Sequence, residues 1–197
     1  WSSPLVPASL RAIVDHCIAR GAYKPFLGAT VGHFAARLAD GRILTSRRKT
    51  DFNRIHEVGL VLIEPAGDER VLAYGSRPSV GGQSQRIVFR DHPDVDCIVH
   101  FHCPLRAGVT DVEVRAQWPY ECGSHECGEN TSRGLAPAAP GVLAVMLDKH
   151  GPNIAFHRSI APERVIRFIE SKFDLAARTD GVVGAPPVRR ALSAHAE

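Results

Sequence analysis

The run Val142-Leu143-Ala144-Val145-Met146-Leu147 is apolar throughout, and it restricts the fold more than any other segment. A run of this length reads as a strand, and a strand apolar on both sides must be covered on both sides. Helices are therefore expected on either face of a sheet. Leu10, Ile13, Val14, Cys17 and Ile18 recur at three- and four-residue spacing after Ser9, the expected N-cap, and stop at Gly21. That pattern predicts a first helix. Residues 83–90 and 128–135 read as short helices. A last helix opens on Pro162 and Glu163 and is expected to carry Ile166, Ile169, Phe173 and Ala176 on one face.

The remaining segments read as strands. Residues 29–38 and 42–45 flank Asp40-Gly41, a strong hairpin signal. Residues 58–63 and 71–74 flank a second turn at 65–70. Residues 96–103 form a strand stopped by Pro104, and 153–156 pair with the 142–147 run across Lys149-His150-Gly151-Pro152. The order predicts an α/β chain with a mainly antiparallel central sheet covered by helices on both faces. A length of 197 residues suits one domain. We place it at 1–180, followed by a Gly/Pro/Ala/Arg-rich tail at 181–197.

Composition narrows the class of partner. Lys and Arg number 24 against 21 Asp and Glu, a net charge of +3, which gives no footprint for nucleic acid. No run of 18 apolar residues is present, so no membrane helix is expected. Trp1 to Arg20 lacks the order of a secretory signal. The cysteines, at 17, 97, 103, 122 and 127, are odd in number and irregularly spaced. This pattern points to free thiols in a reducing, cytoplasmic setting.

Chemistry concentrates at Val99-His100-Phe101-His102-Cys103. Side chains alternate along a strand, so His100 and His102 share one face, about 7 Å apart, where they can converge on a cation. His150 sits in the turn after the buried strand, where ligands commonly meet a sheet. A single histidine at a strand end is more often a hydrogen-bonded structural residue, and spacing leaves Zn, Mn, Fe and Co open.

Taken together, these signals resemble the class II aldolase/adducin family, which includes fuculose-phosphate aldolase and ribulose-phosphate 4-epimerase. The residues that carry the resemblance are Gly32-His33-Phe34-Ala35, Asp40 to Ser46, Pro78-Ser79-Val80, His92-Pro93-Asp94 through His100-Phe101-His102, Pro119-Tyr120 through Leu135, and Lys149-His150-Gly151. It implies a three-layer α/β sandwich, assembled as a homotetramer with active sites at subunit interfaces. It also makes His100, His102 and His150 the ligands of a divalent metal. Zinc is the expected ion, with manganese or iron as alternatives.

The departures from the family pattern bear on substrate. The family's acidic residue falls on Gly81, its asparagine on His33, and one serine of its loop on Val80. Ser46-Arg47-Arg48-Lys49 replaces a phosphate-accepting turn. These cations would suit a carboxylate or similar anion, or else form a solvated basic turn. Candidate substrate contacts are His33, Ser46, Arg47, Arg48, Ser79 and Gln83. Tyr120, Glu121 and His125 are the candidates for proton transfer, in their own chain's site or a neighbour's, in place of the missing carboxylate. Cys122, His125 and Cys127 also offer a soft three-ligand set, and Glu121 and Glu126 offer helix caps with the cysteines packed.

The leading expectation is a metal-dependent lyase, performing aldolase-like C–C cleavage or decarboxylation on a small oxygenated anion rather than a standard sugar phosphate. The partner is then a small-molecule substrate, with no nucleic acid and no membrane. A mononuclear iron oxygenase and a non-catalytic, adducin-like assembly module are the alternatives.

Overall fold

A computed structural model describes residues 1–57, 59–67, 70–117 and 123–179. In chain order the elements are α1 (Ala8–Ala19), β1 (Pro25–Phe26), β2 (Ala29–Thr30), β3 (His33–Arg37), β4 (Ile43–Ser46), a 3-10 segment (Phe52–Glu57), β5 (Leu60–Pro65) and β6 (Val71–Tyr74). They continue as α2 (Gly82–Asp91), β7 (Cys97–His100), β8 (Val114–Arg115), α3 (His125–Gly134), β9 (Ala136–Ala139), β10 (Val142–Leu147), β11 (Gly151–Phe156) and α4 (Pro162–Lys172).

Among the described residues, nine strands form one sheet in the order β6-β5-β4-β3-β7-β11-β10-β8, with β9 also on β10. Every pairing is antiparallel except that of β8 with β10. The expected three-layer arrangement holds. Phe34, Val99, Ala144 and Ile154 point to one face, where Leu10, Ile13, Val14 and Cys17 of α1 and Val165, Phe168 and Ile169 of α4 cover them. Ala35, Ile98, Val145 and Ala155 point to the other, against Val88 and Phe89 of α2, which in turn packs on α3. Two-sided burial explains the unbroken apolar run of β10. Burying each Leu, Ile or Phe contributes about 1.5–3 kcal/mol, so these two layers supply most of the driving force.

Several local expectations need correction. Ser9 does not cap α1, which begins after Pro7; its hydroxyl donates to the Arg158 carbonyl at 2.7 Å. Helix α4 buries Val165, Phe168 and Ile169 and ends at Lys172. Phe173 is buried as extended chain bridged to Leu105, not as a helical residue. The strand expected to reach residue 103 loses its pairing after His100, although alternation persists, since Phe101 and Cys103 remain on the α1/α4 face. Ser124, not Glu126, caps α3 by accepting from the Cys127 N–H at 3.1 Å. Among the described residues, Cys17, Cys97, Cys103 and Cys127 are buried or packed thiols not joined in disulfides. No described helix is long and apolar enough to cross a membrane.

Candidate metal centre

The middle of the sheet delivers the site. His100 ends β7 and pairs on one side with His33 of β3 and on the other with Asn153 of β11. Two residues on, His102 projects to the same side of the sheet, as period-two alternation requires. The turn between β10 and β11 supplies His150. That turn folds tightly because Lys149 takes φ 55° and Gly151 φ 141°. A Cβ at Gly151 would collide with the Phe101 carbonyl oxygen and lie 3.0 Å from the His102 Cα. Glycine therefore lets the turn press against the chain that carries the other two rings.

The three rings converge. Ring centroids lie 5.0 Å apart for His100 and His102, 4.8 Å for His100 and His150, and 4.5 Å for His102 and His150. One nitrogen from each lies within 4.8 Å of the others. A tetrahedral zinc site wants roughly 3.3 Å between nitrogens, so small side-chain rotations would draw the rings onto an ion. His100 Nδ1 is 2.8 Å from the Pro152 carbonyl, which can only accept. The Nδ1 proton is thereby fixed and Nε2 is left with a free lone pair, the orientation that metal-binding histidines adopt. Burial, then the neighbouring imidazoles, pushes the His100 pKa well below the usual histidine value. The ring is thus neutral and able to bind a cation. The donor set fits a divalent transition ion.

Thr179 ties together the two segments that carry His102 and His150. Its backbone N–H donates to the His102 carbonyl at 3.2 Å and its hydroxyl to the His150 carbonyl at 2.9 Å. No sequence signal pointed to it, because a lone threonine beyond the last helix has no motif. Thr179→Ala is expected to weaken metal affinity by about 10-fold, the lower end for outer-shell contacts. Metal titration of the apoprotein checks this.

A cavity of about 360 Å³ opens over the rings. His33, Arg47, Arg48 and Ser79, four of the residues singled out in the sequence as candidate substrate contacts, line it together with Lys49 and Thr50. Phe26, Leu27 and Phe52 add an apolar wall that the sequence did not reveal. Ser46 lies outside this lining; its Oγ is buried without a hydrogen-bond partner among the described residues, and its carbonyl accepts from the Ser79 N–H at 2.9 Å. Gln83 also lies outside, its Oε1 accepting from Arg86 Nε at 3.1 Å. His125 sits at the start of α3 beside Arg86 and Glu129, away from this lining. Tyr120 and Glu121 lie outside the described residues. Cys127 Sγ receives Gln117 Nε2 at 3.0 Å, while Cys122 also lies outside the described residues.

Residues 17–161 match the family model described as the Class II Aldolase and Adducin N-terminal domain. The chain belongs to that family. Its fold is shared with a sugar-phosphate aldolase from Thermotoga maritima at TM-score 0.61, with 16% identity over 83% of this chain and 91% of that one. YgbL from Escherichia coli gives 0.58, with 18% identity over 82% and 84%. An L-fuculose-1-phosphate aldolase from Thermus thermophilus gives 0.55, with 20% identity over 83% and 89%. No curated protein matches the sequence significantly. As a class II aldolase family chain, it has the fold of a group of generally metal-dependent lyases.

Proposed function

We propose that this chain is a metal-dependent lyase that cleaves a C–C bond, by retro-aldol reaction or decarboxylation, in a small oxygenated anion. The observation that carries the reading is one cavity with three converging imidazoles beneath it and an adjacent Arg47-Arg48-Lys49 run at its wall. His100, His102 and His150 would hold one divalent ion, zinc first and manganese or iron next. When bound, it supplies Lewis acidity towards a carbonyl and the enolate formed from it.

The protein's own residues do the rest. Arg47, Arg48 and Lys49 are exposed and have no acidic side-chain partner among the described residues. They are available to grip a carboxylate, arginine in the two-pronged manner. The apolar wall excludes water beside the reacting carbons. Tyr120, Glu121 and His125 are the groups we propose for proton transfer, contributed across a subunit boundary of a homotetramer. Retention of all three ring ligands disfavours a purely structural, assembly role.

A double Arg47→Gln/Arg48→Gln variant should raise KM for an anionic substrate by about 10- to 100-fold, the range for lost charge-assisted hydrogen bonds. The kcat should change little, because the contact is made equally in ground and transition states. The reading itself is tested by screening 2-oxo and hydroxy acids for cleavage before and after chelation with dipicolinate. Activity that disappears with the metal and returns on adding zinc, manganese or iron(II) supports it. Undiminished cleavage by the chelated protein contradicts it. Oxygen uptake matching turnover would transfer the site to oxygenase chemistry.

A further inference from the structure

His33 and Gly81 stand in a relationship that neither residue explains alone. Gly81 precedes α2 with φ −68° and ψ 0°, a conformation open to every residue type. Backbone geometry therefore does not demand glycine here. Space does: a Cβ at position 81 would collide with Nε2 and Cδ2 of His33 and come within 2.8 Å of its Cε1. The imidazole of β3 fills the volume that a side chain at 81 would need. This is the position at which the family resemblance leads one to expect an acid.

The hydrogen bonds around His33 fix its proton. The Thr45 hydroxyl donates its one proton to the Phe34 carbonyl at 2.7 Å. Thr45 Oγ1 must then accept from the Gln85 amide, 3.0 Å away. The same amide nitrogen is 3.4 Å from the Phe34 carbonyl, which cannot donate, so the Gln85 NH2 group faces this corner. That NH2 also reaches His33 Nδ1 at 3.1 Å, which makes Nδ1 an acceptor. The neutral ring therefore carries its proton on Nε2. Only 7% of the residue is exposed, and its Nε2 has no hydrogen-bond partner among the described residues. The ring lines the same cavity as the three candidate ligands, with its centroid 4.8 Å from that of His100.

We propose that His33 is a catalytic residue: a neutral Nε2–H donor, seated in the space left by Gly81 and aligned by Gln85, that hydrogen-bonds the substrate oxygen bound over the three-histidine site. It is neither a fourth ligand nor a base, because Nε2, the nitrogen that Gln85 does not engage, already holds a proton. A preorganised donor of this kind favours the build-up of negative charge on an enolate oxygen. This assignment rests on the metal reading above and adds the group that acts opposite the ion.

The test uses metal-loaded protein, elemental analysis and oxalate, a dianionic enolate mimic, as the probe in calorimetry. Wild type should bind oxalate, and His33→Phe should bind it about 10- to 100-fold more weakly, the loss expected for a hydrogen bond to a charged group, with metal content unchanged. Gly81→Ala should give the same weakening by displacing the ring, and should lower the thermal midpoint in wild type but not in a His33→Asn background. In the metal-free protein, nitrogen-15 spectra should place the His33 proton on Nε2. Unchanged oxalate affinity in both variants, loss of metal with His33, or a proton on Nδ1 each overturns the proposal. A wild type that takes up no metal overturns the lyase reading as well, a result distinct from all of these.

Discussion

Gly151→Ala is expected to disable the metal centre without touching a ligand. At φ 141° a side chain is strained in any surroundings, which costs about 1–3 kcal/mol. Here the added Cβ would also run into the Phe101 carbonyl and press on the His102 Cα. Both obstacles are backbone, so no side-chain rotation can relieve them. The turn must lift, and His150 must move away from His100 and His102. The thermal midpoint of the metal-free protein should fall, and metal stoichiometry should drop well below one per chain. A variant that melts as wild type and binds metal normally would show that the turn does not need this close approach. Gly141→Ala is a useful comparison: its φ is also positive, but its Cβ would meet only a side-chain atom, Ile160 Cδ1 at 3.3 Å.

His100→Ala is expected to have the largest functional effect. It deletes the ring that touches both other ligands and His33. Metal affinity should fall by more than the roughly 100-fold that outer-shell changes reach. It also removes the partner of the Pro152 carbonyl at a residue only 2% exposed, so the apoprotein should lose about 1–3 kcal/mol of stability. Inductively coupled plasma analysis and a denaturant titration separate the two effects. His100→Gln keeps much of the volume, and the same metal loss with little change in stability would assign the effect to coordination.

Much of the site was legible because two local rules apply to it. Alternation along a strand put His100 and His102 on one face, and a turn at a strand end put His150 within reach. The two-sided apolar run of β10 likewise required helices on both faces of the sheet. What escaped notice depends on contacts between distant segments. Nothing local in the sequence ties Gly81 to His33, or Thr179 to the carbonyls of His102 and His150. Strands β1, β8 and β9 are two to four residues long and exist only by pairing, so period-two alternation had too little length to register. The α4 face was misjudged because Phe173 is apolar at helical spacing, yet the chain leaves the helix just before it to bridge Leu105.

Crystals of the protein soaked with zinc, and measured on both sides of the zinc absorption edge, examine the central claim directly. One anomalous peak per chain, bonded to nitrogens of His100, His102 and His150 with an open position facing the cavity, is the predicted result. Zinc found elsewhere, or three rings that stay apart around featureless density, would contradict it.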